Sequence, residues 1–233
     1  MQRTKPPYRA DEVGSLLRPA SIKEARSRLE KGGISPDDLR QIEDSEIGKV
    51  VRKQASVGLQ LATDGEFRRS WWHFDFLKDL VGCELFHPEL GIQFTGVQTR
   101  HDAVRVTGKV DFPENHPMLD HFRFLKKHAD AAGVTAKMTI PSPAVLHFRG
   151  GRNLISKEVY PDLEPFFEDL GKAWRKAVKA FYDAGCRYLQ FDDTVWAYLC
   201  SQDELKKSRE RGDNPDGLQE TYARVINHAI AVR

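Results

Sequence analysis

The stretch Leu59-Gln60-Leu61-Ala62-Thr63-Asp64-Gly65-Glu66 sets a strand-like apolar run directly before a short acidic cluster, and Tyr188-Leu189-Gln190-Phe191-Asp192-Asp193 repeats the arrangement far along the chain. In parallel α/β proteins ligands bind at the C-terminal ends of strands. Carboxylates placed there are costly to desolvate unless they meet a cation, a proton or a hydrogen-bond donor. Read together, the two clusters point to a site; read singly, each also suits the cap of a following helix.

Around these runs the chain alternates helix and strand patterns. Residues 1–11 read as a loose Pro-containing arm, and Val13-Gly14-Ser15-Leu16-Leu17 as a short buried strand ending at Arg18-Pro19. A helix is expected over 20–30. Ser35-Pro36-Asp37-Asp38 then starts another, with Ser as N-cap, Pro in the first turn and acids facing the positive helix end. Residues 82–112 interrupt the rhythm: Ile92–Val97 and Ala103–Val110 alternate with period two, as in an inserted antiparallel ribbon. A helix at 117–132, a strand at Thr135–Ile140 and a strongly amphipathic helix at 161–184 follow. That last helix carries Phe166, Phe167, Leu170, Trp174 and Phe181 on one side, an aromatic core stripe. Asp213-Asn214-Pro215-Asp216-Gly217 reads as the turn that opens the final helix.

Strands alternating with helices predict a parallel sheet with right-handed crossovers. The predicted class is α/β of the (β/α)8 barrel type. About four β/α units are visible over 12–233, so the expectation is an incomplete barrel carrying the 82–112 ribbon. Eight such units usually need about 250 residues, against 233 here. An open sheet edge is also a surface for association with a second copy or a partner chain.

Composition narrows the function classes. Lys plus Arg number 36 against 34 Asp plus Glu, a net charge of +2, which argues against an electrostatically driven nucleic-acid binder. No run approaches the roughly 18 to 20 apolar residues of a membrane span, and no apolar segment of a secretory signal follows the N-terminus. Cys83, Cys186 and Cys200 lack paired spacing, which predicts reduced thiols and a cytoplasmic protein.

Five motifs in order carry a resemblance: Val13-Gly14-Ser15-Leu16-Leu17-Arg18-Pro19, Thr63-Asp64-Gly65-Glu66-Phe67-Arg68-Arg69, Trp72 through Asp75-Phe76, Ile140-Pro141-Ser142-Pro143, and Gln190-Phe191-Asp192-Asp193. Together they resemble the cobalamin-independent methionine synthase family, and most closely its shorter single-barrel branch. The resemblance implies a (β/α)8 barrel that moves a methyl group from a reduced folate to the thiol of homocysteine, making methionine. It assigns Glu66 and Asp192 to the substrate ammonium, and the backbone N–H groups of Gly14 and Ser15 to its carboxylate. Arg18 either holds a carboxylate or braces the acidic clusters. Asp64 either touches ligand or caps the turn. Asp193 stands where Glu is commoner in the family. His147 or Phe148 occupies the place of an aromatic that stacks on the folate ring, with a surface-loop role for His147 as the alternative. Arg68, Arg69, Arg149 and Arg152 either steer an anionic folate tail or form a solvated rim.

The family also implies zinc held by His, Cys, Glu and Cys. This chain has no His-x-Cys, so its cysteines are expected to be core residues and the zinc ligands to lie in sequence beyond it. The expectation is therefore a fragment without turnover of its own. Three other readings fit the same pattern. These are zinc-dependent alkyl transfer to a different thiol, a metal-free decarboxylase of the same superfamily, and a non-catalytic half-barrel completed by another chain.

Overall fold

A computed structural model describes residues 5–89, 93–94, 97–98 and 101–231. In chain order the elements are α1 (Ala20–Glu30), α2 (Pro36–Ser56), β1 (Leu61–Ala62), α3 (Phe74–Leu77), β2 (Val81–Phe86), β3 (Gln93–Phe94), β4 (Val97–Gln98), β5 (Ala103–Asp111), α4 (Pro117–Ala131), β6 (Thr135–Ala136), β7 (Met138–Pro141), α5 (Pro143–Phe148), a single 3-10 turn at Arg152–Leu154, α6 (Leu163–Asp183), β8 (Leu189–Asp192), α7 (Val195–Leu199), α8 (Gln202–Glu210) and α9 (Leu218–Ile230). This is an α/β protein. Its described strands pair two by two, without a closed ring of strands.

The residues gather into two compact units. The first comprises Met1–Trp72, Met118–Thr139 and Phe181–Gln190; the second comprises His73–Pro117, Ile140–Ala180 and Phe191–Arg233.

Within the first unit, successive runs lie side by side in parallel. Ser15 bridges Gly65, β1 pairs with β6 at Leu61↔Thr135, and the Met138 N–H donates to the Tyr188 carbonyl at 3.0 Å. The helix α2 forms where its start signals place it. Ser35 Oγ accepts the Asp38 N–H at 3.1 Å, and Asp38 Oδ2 accepts the Ser35 N–H at 2.9 Å. These reciprocal bonds satisfy two donors that a helix start otherwise leaves open. Ile22, Ile47, Val51, Leu61, Phe122 and Phe181 are fully or almost fully buried.

Two expectations for this unit fail. Val13 is 56% exposed and Leu17 89% exposed, so 13–17 is not a buried strand; only Ser15 keeps a strand-like bridge. Nor is the arm loose at its end. Asp11 accepts from Lys137 Nζ at 2.9 Å and from the Tyr188 hydroxyl at 3.2 Å.

In the second unit an antiparallel ribbon does form, between β2 and β5, with a register shift between Val81 and Cys83. The partner of Ala103–Asp111 is thus Val81–Phe86 and not the stretch around residue 94. That stretch makes its own small pair, β3 with β4, and Ile92, Thr95 and Gly96 of the expected strand lie outside the described residues. Gly82 has φ +76, and a Cβ there would stand 2.4 Å from the Lys109 carbonyl oxygen. Only glycine fits so close a crossing. The aromatic stripe of α6 is core as read from the periodicity, and Trp174 Nε1 donates to the Pro141 carbonyl at 2.8 Å.

Candidate functional site: a strained acidic turn beside open amides

In the first unit β1 ends at Ala62 and delivers the acidic turn. Asp64 Oδ1 accepts the Glu66 N–H at 2.9 Å, a side-chain-to-backbone turn that relieves the chain of strand geometry. Gly65 has φ +66 and Glu66 has φ +57. A left-handed glutamate is uncommon and persists only when its surroundings over-determine it. They do so here. The Glu66 carbonyl accepts Arg18 Nη2 at 3.1 Å and the Arg69 N–H at 3.0 Å. Its carboxylate Oε1 meets Arg69 Nη1 at 3.0 Å, with both side chains nearly buried. Arg69 Nη2 in turn donates to the Thr139 carbonyl at 2.6 Å. Two guanidinium groups tie down the rest of the turn: Arg18 reaches the Arg69 carbonyl at 2.9 Å, and Arg26 reaches the carbonyls of Phe67 and Arg69 at 2.7 and 3.0 Å.

Gly14 lies against this turn. A Cβ at position 14 would be 2.7 Å from Thr139 Oγ1 and 3.4 Å from Glu66 Oε1. The space a side chain would take at 14 is thus filled by the Thr139 hydroxyl, with the Glu66 carboxylate at ordinary contact distance beyond it. Among the described residues, the N–H groups of Gly14 and Ser15 donate no hydrogen bond within the chain, whereas the next one, on Leu16, donates to the Gly65 carbonyl at 3.1 Å. Two open backbone donors thus lie on the segment that packs against the turn carrying Glu66.

Arg18 donates to two backbone carbonyls of the turn, and Asp64 accepts the Glu66 N–H within it. Arg68 is neither a steering group nor a solvated rim: its side chain is 6% exposed, it pairs with Asp44 and with Glu43 Oε2, and it lies 4.9 Å from the Phe124 ring centroid. Arg69 is equally committed, to Glu66. Burial pushes the Glu12 carboxyl above the usual carboxylate range, against the pull of Thr63 and Lys137. His121 is pushed down to about 4 by burial, with Arg68 adding to the effect.

The second unit holds the other predicted residues. The Asp192 carbonyl accepts the Ser142 N–H at 2.9 Å, joining the ends of β7 and β8. Asp193 Oδ1 accepts the Val195 N–H at 2.8 Å and so starts the first turn of α7, leaving Oδ2 buried without a hydrogen bond among the described residues. His147 departs from expectation. It is 0% exposed, neither a surface-loop residue nor an open stacking face. Its Nδ1 lies 2.6 Å from the Tyr222 hydroxyl, its Nε2 3.4 Å from Asp213 Oδ1, and its ring centroid 4.9 Å from that of Phe167. Phe148 is also enclosed, with Tyr198 stacked on it and Arg211 over its ring. A pteridine finds no open face on either side chain. Arg152 likewise serves the fold, donating its N–H to Asp213 Oδ1 and its guanidinium to the Tyr160 and Pro161 carbonyls.

The spacing patterns did not single out Lys137, Thr139, Thr63, Arg69, Tyr222 or Asp213 as structural hubs. A signal existed for the first: a lysine inside the apolar run Thr135–Ile140 is an expensive choice that needs a buried partner.

A family model described as the catalytic domain of cobalamin-independent synthase matches residues 9–231. The chain belongs to the cobalamin-independent methionine synthase family. An uncharacterised Bacillus subtilis member, YxjG, is 52% identical over 233 residues, all of this chain and 60% of that protein. A methionine synthase of Sulfurisphaera tokodaii is 27% identical over 182 residues, covering 78% of this chain and 50% of the relative. Among solved structures, a Listeria monocytogenes protein assigned as a vitamin-B12-independent methionine synthase superposes with a TM-score of 0.78 at 45% identity, over 97% of this chain and 62% of the other. The chain thus spans about 60% of the length of the Bacillus relatives.

Zinc is the metal this family implies, and the described residues do not fit it. No group of three or more His, Cys, Asp or Glu capable of holding a metal occurs among the described residues. The Cys83 thiol is pushed up to about 12 and the Cys186 thiol upward as well, both by burial, the opposite of what a thiolate ligand needs.

Proposed function

We propose that this chain carries the amino-acid-binding part of a methyltransferase that moves a methyl group from a reduced folate to the thiol of homocysteine, forming methionine. One observation carries the reading: among the described residues the N–H groups of Gly14 and Ser15 donate no hydrogen bond, on a segment that lies against the turn holding the Glu66 carboxylate. An α-amino acid at neutral pH is a zwitterion whose ammonium and carboxylate are separated by one carbon. Adjacent backbone donors and a fixed carboxylate match those two charges. A carboxylate has about four acceptor sites, so one held by Arg69 is able to accept from an ammonium as one of several donors. Burial strengthens both contacts by lowering the local dielectric.

Asp192 is proposed as a ligand of a substrate ammonium on the strength of its motif alone. The runs that pair in chain order are read as the first β/α units of the family's (β/α)8 barrel. Small-molecule substrates are the proposed partners, and no step is routed through a metal on these residues.

The test is titration calorimetry on the purified chain with L-methionine and two truncated analogues: 3-(methylthio)propylamine, which lacks the carboxylate, and 4-(methylthio)butanoate, which lacks the ammonium. Each analogue is expected to bind at least about tenfold more weakly than L-methionine, the value of one charge-assisted hydrogen bond. Equal affinity for all three would remove the amino acid from the account.

A further inference from the structure

Three successive backbone carbonyls before Ser15 are each held by a different side chain. Lys137 Nζ donates to the Glu12 carbonyl, Thr139 Oγ1 to that of Val13 at 2.7 Å, and Thr63 Oγ1 to that of Gly14 at 2.8 Å. Successive carbonyls in regular extended chain point alternately to opposite sides, so one neighbouring strand cannot accept the task for all three. Here side chains do it, from Thr63 beyond β1 and from Lys137 and Thr139 of the 135–141 run. Lys137 is buried to do so, its charge met by Asp11 Oδ1 at 2.9 Å and by the Tyr188 ring, 5.5 Å away. A lysine, unlike the apolar side chains around it, is tolerated there only with such partners.

Thr139 has a second attachment. Its own carbonyl accepts Arg69 Nη2 at 2.6 Å, and Arg69 Nη1 holds Glu66 Oε1 at 3.0 Å. One residue therefore ties down both the backbone that carries the open amides and the arginine that fixes the carboxylate. Gly14 closes the arrangement, since the space a Cβ would take at 14 is filled by Thr139 Oγ1.

We propose that Thr139, assisted by Thr63 and Lys137, is a positioning residue that sets the spacing between the Gly14–Ser15 amides and the Glu66 carboxylate, and so selects ligands whose two charges are one carbon apart. This rests on the amino-acid reading above.

The experiment compares the wild-type chain with Thr139→Val, which keeps the shape and removes the hydroxyl, and Thr139→Ser, which restores it. L-Methionine and 3-(methylthio)propylamine are titrated into each, and amide exchange of Leu16 is followed without ligand. Thr139→Val is expected to weaken L-methionine about tenfold with little change for the amine, and to speed exchange of the Leu16 amide, which bonds the Gly65 carbonyl. Thr139→Ser is expected to recover both. Unchanged affinity ratio and unchanged exchange in Thr139→Val overturn the proposal. Thr63→Val repeats the test at the Gly14 carbonyl should Thr139→Val not fold. If the wild type itself shows no preference for the carboxylate, the amino-acid reading fails, and the exchange rates alone then decide whether the hydroxyl positions the amides: faster exchange supports that role, unchanged exchange removes it.

Discussion

At residue 66 the chain accepts a left-handed backbone on a glutamate, φ +57, and surrounds it with Asp64, Arg18 and Arg69. Strain of this kind costs of order 1–3 kcal/mol, and removing a partner from the buried Glu66–Arg69 pair would leave an uncompensated charge. Arg69→Met is accordingly expected to destabilise the protein by about 3–5 kcal/mol, read as a shift in the urea midpoint; a loss under about 1 kcal/mol would show that the pair behaves as a surface contact. Gly14→Ala meets a different obstacle, the Thr139 hydroxyl at 2.7 Å. The expected cost is about 1–3 kcal/mol together with loss of L-methionine binding, and a variant that binds normally would contradict the close approach. His73 gives a pH signature. Burial, with help from Arg149, pushes it down to about 3. A depressed histidine stabilises the fold above its unfolded value near 6.5, and that contribution falls as pH drops toward 3. Each unit in that window costs about 1.4 kcal/mol. Burial raises Glu12 and Glu43 in the opposite sense, so they favour the folded state at low pH and lose that contribution as pH rises through their folded values. Replacing His73 by Gln is expected to flatten the acid limb of the stability profile between pH 6.5 and 4; an unaltered slope would place the titrating group elsewhere.

Among the elements, the helices were legible from local chemistry. Ser35-Pro36-Asp37-Asp38 encodes its own capping box, and Ser35→Ala is expected to cost about 1 kcal/mol, measurable as a lowered melting temperature. The α6 stripe was equally plain, because burial of Phe166, Leu170, Trp174 and Phe181 follows directly from helical spacing. Strand partners were not. Val13–Leu17 has the composition of a buried strand, yet the carbonyls of Val13 and Gly14 are taken by Thr139 and Thr63, and that of Glu12 just before by Lys137, contacts that depend on residues far along the chain. The β2–β5 ribbon was mispartnered for a related reason: period-two alternation marks a strand without naming its neighbour, and the glycine that permits the crossing, Gly82, reads in sequence as an ordinary breaker. His147 shows the same limit at the site. Position relative to β7 was legible, but enclosure by Tyr222, Asp213 and Phe167 comes from α9, the turn before it, and α6.

For the whole molecule, the near balance of 36 basic and 34 acidic residues and the motif order agree with a small-molecule enzyme family, and the family assignment over residues 9–231 makes the acidic turn its most informative feature. The cysteines add a negative expectation. With Cys83 and Cys186 raised by burial, the purified chain is expected to retain far less than one zinc per molecule after gel filtration; stoichiometric retention would require a site these residues do not form. Glu66 as the counter-charge of an amino group is the central claim. The most direct measurement is the affinity of wild type and Glu66→Gln for L-methionine and for its ammonium-free analogue 4-(methylthio)butanoate. The substitution is expected to weaken L-methionine by about tenfold or more and to leave the butanoate unchanged. Equal losses for both ligands, or none for either, would contradict it.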